Sequence, residues 1–562
     1  MATLHEHQRT APAAPDAPEG GELRTQRSVL VADVLVAVLL LGLAAALRWP
    51  ALAPSSLWLD DAWVALVHRT SGWEELRFVG FAAPGFAALL KGWLQLTGFS
   101  ELQAQLPAFV AGALTAPLAY LVARWRRWHP VAALLGATLL AVGPIGVTYA
   151  TRVKQYTLEA LLGVVLVALV LWLLDDRTDR RRWSALTLTG ALGTVVSAFA
   201  APIVAAGFAA VLVAGLRTHD AVTVRRALAW GGAYGAAALA WYLAVLAPAV
   251  TSSISGFWSG DFLVLDAGVV ALLGSVIAAW AGVLAGLVPA GVPEGVPAVL
   301  LLGVAVAASA LTVVVAGTGE GPVASRASDA GGRVRAGRGR DGIEVVVLLL
   351  GPLLIATVLA GLQLAPLGGG RTDHYLHTGL ALLVAAGGDA GVRLARTGPP
   401  RFARVAAQGL GAVGLVAVAA LVVTAAPVDD YPASDVRPLV TVMERSAAPD
   451  DALLIYPATM WAYALYTSSG IALAPDPVSS WGFSPTFADE RVVTLPPGRD
   501  EPGAYLPTVE GLASSEVEVV WLLVSHWRGD VDDLRDQLDA AGFEGDEVDR
   551  RPGARLERYV RR

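Results

Sequence analysis

The chain has 562 residues, 55% of them hydrophobic and 16% charged, with mean hydropathy +0.57. Soluble domains carry about 25% charged residues, so this balance excludes one large soluble core and suits a chain solvated by lipid. Cys is absent and net charge is −7, which excludes disulfides, thiolate metal sites and Cys nucleophiles.

That charge hides a split. Residues 427–562 carry 24 Asp+Glu against 12 Lys+Arg, leaving 24 against 29 in residues 1–426. A basic hydrophobic part precedes an acidic soluble one, and no basic stripe of the kind nucleic acid requires is present. The 17 Trp suit a protein with two membrane interfaces, where the indole body is apolar and its N–H stays wet.

Residues 1–27 are Pro/Ala/Glu-rich and read as a disordered cytoplasmic N-terminus. They are too long and polar for the n-region of a signal peptide, so Val29–Leu47 reads as a retained transmembrane helix. Apolar runs long enough to span lipid follow near 103–123, 131–149, 156–174, 184–200, 201–216, 227–247, 295–316, 343–362, 375–394 and 405–425. The pair within 184–216 is short and turns at Ala201-Pro202. No internal repeat is evident.

Positive charge sets the orientation. With the N-terminus cytoplasmic, 22 Lys+Arg of residues 1–426 lie inside and seven outside: Arg48, Arg69, Arg77, Lys91, Arg152, Lys154 and Arg371. A twelfth crossing at 267–289 would throw the Arg326–Arg340 cluster outside, so that run reads as helices on or dipping into the outer leaflet. The expected fold is an all-α polytopic membrane protein with about 11 transmembrane helices, spanning 28–426 with a first outer loop at 50–100. An extracytoplasmic α/β domain at 427–562 completes it, the whole in a bacterial inner membrane. In that domain Ser434–Ala447 reads as a helix with Ser434 as N-cap. Ala452–Tyr456 and Val517–Val524 read as strands and Asp530–Ala541 as a helix, giving a partly parallel sheet.

Three clusters carry chemistry. In the first outer loop, Leu57-Trp58-Leu59-Asp60-Asp61-Ala62-Trp63 sets two carboxylates among apolar residues. Such a carboxylate can act as a base, the pair can hold a divalent ion such as Mg or Mn, or the Asp can simply cap a helix. Tyr149 to Glu159 includes Tyr156 and two cations on the charge-poor side, Arg152 and Lys154, which suit either an anionic headgroup or interfacial snorkelling. Pro366 to His377 joins a glycine run, which allows close backbone approach, to Arg371, whose fork suits a phosphate. A flexible turn is the plainer alternative there. His374 and His377 are more ordinarily packed than ligating. All three clusters fall on one side of the membrane, so one outer cavity with a carboxylate and fixed cations is expected.

These residues resemble the dolichyl-phosphate-mannose–protein mannosyltransferase family and its bacterial relatives. Leu57 to Trp63 is similar to the family's Asp-Glu motif, and Ala83 to Lys91 to its Pro-Pro-Gly-Tyr-type helix. Glu101 to Pro107 with Ala111-Gly112, Tyr149 to Glu159, and Gly369 to Tyr375 follow in the family's order, over residues 30–425. The resemblance implies a GT-C fold and a membrane glycosyltransferase using a polyprenyl-phosphate-linked sugar at the outer face, with a glycan, lipid or protein acceptor. Carried over, Asp60 matches the catalytic base, and Asp61, a catalytic candidate with it, stands where a Glu is usual. Lys154 and Arg371, with Arg152 and Tyr156, match a donor-phosphate site. Trp63, Glu159, His374 and Tyr375 would shape the substrate, and Gln105 stands where an Arg is common. Phe257-Trp258 and 267–289 could line the lipid or acceptor groove. Trp461, Tyr463 and Tyr466 could stack on a glycan, though aromatics at that spacing are more often core. The competing class is a transporter or flippase of lipid-linked intermediates, which calls for charges at mid-membrane depth and repeated halves.

Overall fold

A computed structural model describes residues 20–52, 55–80, 83–249, 258–265, 268–289, 296–318, 342–397, 400–428, 434–476, 483–496, 503–527 and 530–562. Residues 1–19, Phe257 and the Arg326–Arg340 cluster lie outside them. The first helix, α1 (Gly20–Arg48), starts inside the segment read as disordered.

All eleven expected runs are helical. After α1 come α2 (Leu59–Ala65), α3 (Trp73–Val79) and α4 (Pro84–Thr97) in the first loop, then α5 (Glu101–Trp125), α6 (Pro130–Val142), α7 (Pro144–Thr148) and α8 (Tyr156–Asp175). The bundle continues with α9 (Arg180–Val196), α10 (Ala200–Arg217), α11 (Ala221–Trp241), α12 (Val269–Ala285), α13 (Val296–Thr318), α14 (Ile343–Gly361), α15 (His374–Arg396) and α16 (Pro400–Val423). Eight described helices are long and apolar enough to cross a membrane, nine with the bent pair α6–α7. The 17 residues of α9 open on three arginines, and Leu302–Val315 within α13 is an apolar stretch.

Local chemistry starts the helices where expected. Ser100 accepts from Gln103 N, and Asp220 accepts from Val222 N and Thr223 N, each satisfying donors that an N-terminus leaves open. Packing is close because small residues line the contacts. A Cβ on Gly136 would stand 2.5 Å from Ala381 O, and one on Gly379 2.5 Å from Leu349 O.

The bend between α6 and α7, 57°, falls at Gly143-Pro144. Pro supplies no N–H to the helical ladder and frees carbonyls upstream. Arg48, 1% exposed, fills that gap. Its Nη1 donates to Ala141 O (2.9 Å) and Ala44 O (2.8 Å), and its Nε to Gly146 O (3.2 Å). One of the seven cations expected outside is thus a structural brace.

The run at 267–289 holds one helix, α12, tied to its neighbours at both ends. Leu263 N pairs with Ala360 O and Val264 N with Ser275 Oγ, at the α14 end nearest Gly361. The other end of α12 packs Gly282 on Gly368, and Val283 O accepts from His377. Both termini therefore sit at one end of the bundle.

The C-terminal domain holds α17 (Val436–Ser446), β1 (Ala452–Ile455), α18 (Met460–Tyr466), β2 (Ile471–Pro475), β3 (Phe483–Phe487), β4 (Val492–Thr494), α19 (Leu506–Ser514), β5 (Val519–Ser525), α20 (Asp530–Ala540), β6 (Phe543–Arg551) and β7 (Ala554–Arg561). One sheet has order β4-β1-β5-β7-β6, parallel across the first three strands and antiparallel beyond; β2 and β3 form a separate hairpin. The sheet is partly parallel as expected. Ser434 is not the N-cap: Asp435 holds that position, without a side-chain bond.

This domain is fused to the first loop rather than appended. Trp63, Phe78, Trp461 and Phe483 share one hydrophobic core. Arg69 donates to Ala464 O (2.6 Å), Thr467 O (2.9 Å) and Ser469 O (2.6 Å), the open carbonyls at the end of α18. Arg437 binds both oxygens of Glu101 at 3.0 Å, and Leu57 N donates to Tyr466 OH at 2.7 Å. Trp461 and Tyr463 are buried, so they are core and not a glycan platform. Arg69→Ala should strand three carbonyls and cost about 2 kcal/mol. The expected result is a lower denaturation temperature and faster proteolytic release of the C-terminal domain.

Candidate active site

Three separated segments converge on Asp60. It lies in the first turn of α2, next to Asp61, and Trp58 is the N-cap without a side-chain bond. The capping reading of the acidic pair therefore fails. Asp61 instead reaches across 92 residues: its Oδ1 accepts from Val153 N at 2.9 Å, and its Oδ2 pairs with Arg152 Nε at 3.1 Å. Asp61 staples the first loop to the loop before α8.

Asp60 faces the cations of the other two clusters. Lys154 Nζ is 3.7 Å and Arg371 Nη1 3.6 Å from the same oxygen, Oδ2. These contacts are longer than hydrogen bonds, so the pairs are electrostatic and the carboxylate is not clamped. Each cation lies over an indole: Arg152 over Trp58 at 4.9 Å, Lys154 over Trp63 at 4.9 Å, and Arg371 over Trp258 at 4.8 Å. Ring faces attract cations and hold long side chains in place without consuming N–H donors.

Burial acts on both charges. It pushes the Asp61 carboxyl up, against the pull of Arg152 and Lys154, and pushes the Lys154 ammonium down, against the carboxylates of Asp60 and Asp61.

The glycine run serves the fold. Gly368 (φ 92°) and Gly370 (φ 79°) take the left-handed region, which glycine adopts without a steric cost. A Cβ on Gly368 would stand 2.8 Å from Ala279 Cα of α12. Asp373 Oδ2 accepts from Gly368 N (2.7 Å) and Gly370 N (3.3 Å), closing the loop that carries Arg371. The close backbone approach is to a helix, not to an open ligand space.

Burial raises Asp373 from 3.8 to about 6. The folded chain thus holds this proton more tightly than the unfolded one. That contribution to stability is fully present below about 3.8 and is lost as pH rises through about 6. Between those limits the denaturation temperature of the wild type should fall with pH more steeply than that of Asp373→Asn, and the two should run parallel above about 7.

The remaining expected residues lie in a buried layer on the helices. Tyr156 meets Tyr149 edge to face at 5.0 Å. Glu159 accepts from Ser197 Oγ at 2.5 Å. Tyr375 stacks on Phe199, and His374 Nδ1 meets His377 Nδ1 at 3.1 Å. Their contacts are with the helices, and none pairs with Asp60. Gln105 donates to Thr151 O at 2.5 Å, bracing the turn that leads to Arg152. Trp63 reaches the site through Lys154.

A divalent ion does not fit this set. Asp60 and Asp61 already face Arg152, Lys154 and Arg371, whose charges oppose a second cation. Among the described residues no three His, Asp or Glu side chains gather to hold a metal.

Three features were not legible in the sequence: Asp61 as a staple, Asp373 as a loop clasp, and His526. The last lies beyond β5 in the C-terminal domain, edge-on to Trp58 at 5.3 Å. An isolated His in an acidic domain carries no sequence signal.

Comparison with known proteins agrees with this architecture. The family model for dolichyl-phosphate-mannose-protein mannosyltransferase matches residues 82–248. No curated protein sequence matches the chain significantly. Among solved structures, ArnT from Cupriavidus metallidurans bound to undecaprenyl phosphate is similar with TM-score 0.51 and 12% identity, covering 95% of this chain and 98% of that one. The same protein in the apo state gives 0.49 and 13% over the same shares. Archaeal oligosaccharyltransferase AglB from Archaeoglobus fulgidus, in complex with an inhibitory peptide and a dolichol-phosphate, gives 0.47 and 11%, over 92% and 72%. The fold is GT-C, a multi-pass membrane bundle with a C-terminal α/β domain.

Proposed function

We propose that this chain is an inverting membrane glycosyltransferase that moves a sugar from a polyprenyl phosphate to an acceptor hydroxyl or amine. The observation that carries the reading is one carboxylate, Asp60, held 3.6–3.7 Å from two cations that come from different loops. The family match over residues 82–248 and the undecaprenyl phosphate bound by a protein of the same fold support the donor class.

The chemistry follows from the charges. Asp60 takes the acceptor proton as the acceptor atom bonds to the anomeric carbon. The bond from that carbon to the phosphate oxygen breaks, and its electron pair leaves with the lipid phosphate. Arg371 and Lys154 stabilise the added negative charge. The phosphate is already anionic, so no protonating acid is required. A single displacement inverts the anomeric carbon. The positive-inside distribution of arginine supports an outward-facing site in a bacterial inner membrane, with the N-terminus cytoplasmic. The donor would be a hexosyl or pentosyl lipid, the acceptor a glycan, lipid or protein. Carriage of lipid-linked intermediates is less favoured, because the site cations and carboxylates gather at one end of the bundle rather than at mid-depth.

The test is transfer by the full chain in lipid vesicles, supplied with labelled polyprenyl-phosphate sugars extracted from cells, with the anomeric configuration of the product read by NMR. Inversion is expected. Retention, or translocation of the lipid without transfer, would overturn the reading.

A further inference from the structure

The C-terminal domain contributes more than packing to the site. In open α/β sheets ligands bind beyond the carboxyl ends of the parallel strands. Here β1 and β5 are adjacent and parallel. Their carboxyl ends meet where Thr459 Oγ1 contacts Ser525 Oγ at 3.0 Å and accepts from Ser525 N. The next residue after Ser525 is His526.

Three observations single out His526. Its backbone is left-handed, φ 52°, an uncommon state for a residue with a Cβ and one that marks functional positions when the surroundings enforce it. Its ring lies edge-on to Trp58, two residues before Asp60, and close enough to the site for Asp60 and Arg152 to act on it electrostatically. Among the described residues its Nε2 is buried with no hydrogen-bond partner. A buried polar atom left open costs about 1–3 kcal/mol, and a ligand that completes this one offsets that cost.

We propose that His526 is an acceptor-binding residue: its Nε2 hydrogen-bonds a polar group of the acceptor beside Asp60, so the end of β5 forms the acceptor wall of the site. Lys154 and Arg371 belong to the donor side. Burial lowers His526 to about 4, so the ring is neutral at pH 7 and offers one donor or one acceptor nitrogen. That suits a hydroxyl or amine better than an anion. This inference rests on the transfer reading above.

The test uses the full chain in phosphatidylethanolamine–phosphatidylglycerol vesicles. The donor is polyprenyl-phosphate sugars extracted from cells grown on labelled glucose, and the acceptor is an envelope fraction from cells lacking the chain. His526→Gly suits the left-handed backbone and removes the ring; His526→Asn tolerates it and keeps a hydrogen-bonding group. For His526→Gly, half-saturation by the envelope fraction should need about tenfold more acceptor, while inhibition by added undecaprenyl phosphate stays as in the wild type. His526→Asn should recover part of the loss. Unchanged acceptor dependence in His526→Gly overturns the inference, as does equal loss of acceptor response and undecaprenyl phosphate inhibition. If the wild type shows no transfer, or Asp60→Asn transfers normally, the parent reading fails instead.

Discussion

Asp60→Asn should lower sugar transfer by about 10²–10⁴-fold, the range that a positioned general base supplies, with little loss of undecaprenyl phosphate binding. The amide keeps the shape and size of the side chain but cannot take a proton. It also removes the negative charge facing Lys154 and Arg371 at 3.6–3.7 Å. Both cations then meet the donor phosphate with no competing carboxylate. Lipid phosphate affinity should therefore hold or rise while turnover collapses, a split that unfolding does not produce. Asp61→Asn differs. It loses the pairing with Arg152 but keeps an oxygen for Val153 N, so its main effect should be a lower denaturation temperature, with breakage of a buried pair costing about 3–5 kcal/mol.

Arg371→Met should weaken both donor binding and turnover, by about 10²–10³-fold in kcat/KM, the loss seen when one preorganised charge-stabilising donor is removed. Methionine fills a similar volume and can still lie against Trp258, so the loop clasped by Asp373 survives. Arg371→Lys should restore little, because an ammonium lacks the planar fork that meets two phosphate oxygens. Lys154→Met should resemble Arg371→Met in direction. The double variant should fall short of the summed effects, since both cations act on one phosphate. Kinetics with varied donor, read beside the denaturation temperature, check this. Equal activity of Arg371→Met and wild type would remove the donor-phosphate role.

The sequence carried the bundle plainly because lipid imposes a length rule. Each expected run is helical, and both ends of the 267–289 run pack against the α14–α15 connection. Lys154 and Arg371 stood out as cations on the side where few are expected, and Asp60 as a carboxylate among apolar residues. What the sequence did not carry is long-range and specific. Asp61 bonds a backbone N–H 92 positions away, and no local pattern encodes that. Arg48 looks like any interfacial arginine until the bend at Gly143-Pro144 exposes carbonyls to it. The glycine run reads equally as ligand cradle or turn, and only the approach of Ala279 to Gly368 decides. The union of the first loop with the C-terminal domain was hidden for the same reason. Trp63 reads alone as substrate-shaping and Trp461 as core or glycan-stacking, and together they form one core.

The most direct measurement is phosphorus–nitrogen distance by solid-state NMR, with undecaprenyl phosphate added to the nitrogen-labelled full chain in bilayers. The phosphorus should lie within about 5 Å of Lys154 Nζ and of the Arg371 guanidinium, and Lys154→Met or Arg371→Met should abolish its own contact. A bound lipid phosphate far from both side chains, unmoved by either substitution, contradicts a donor site between them.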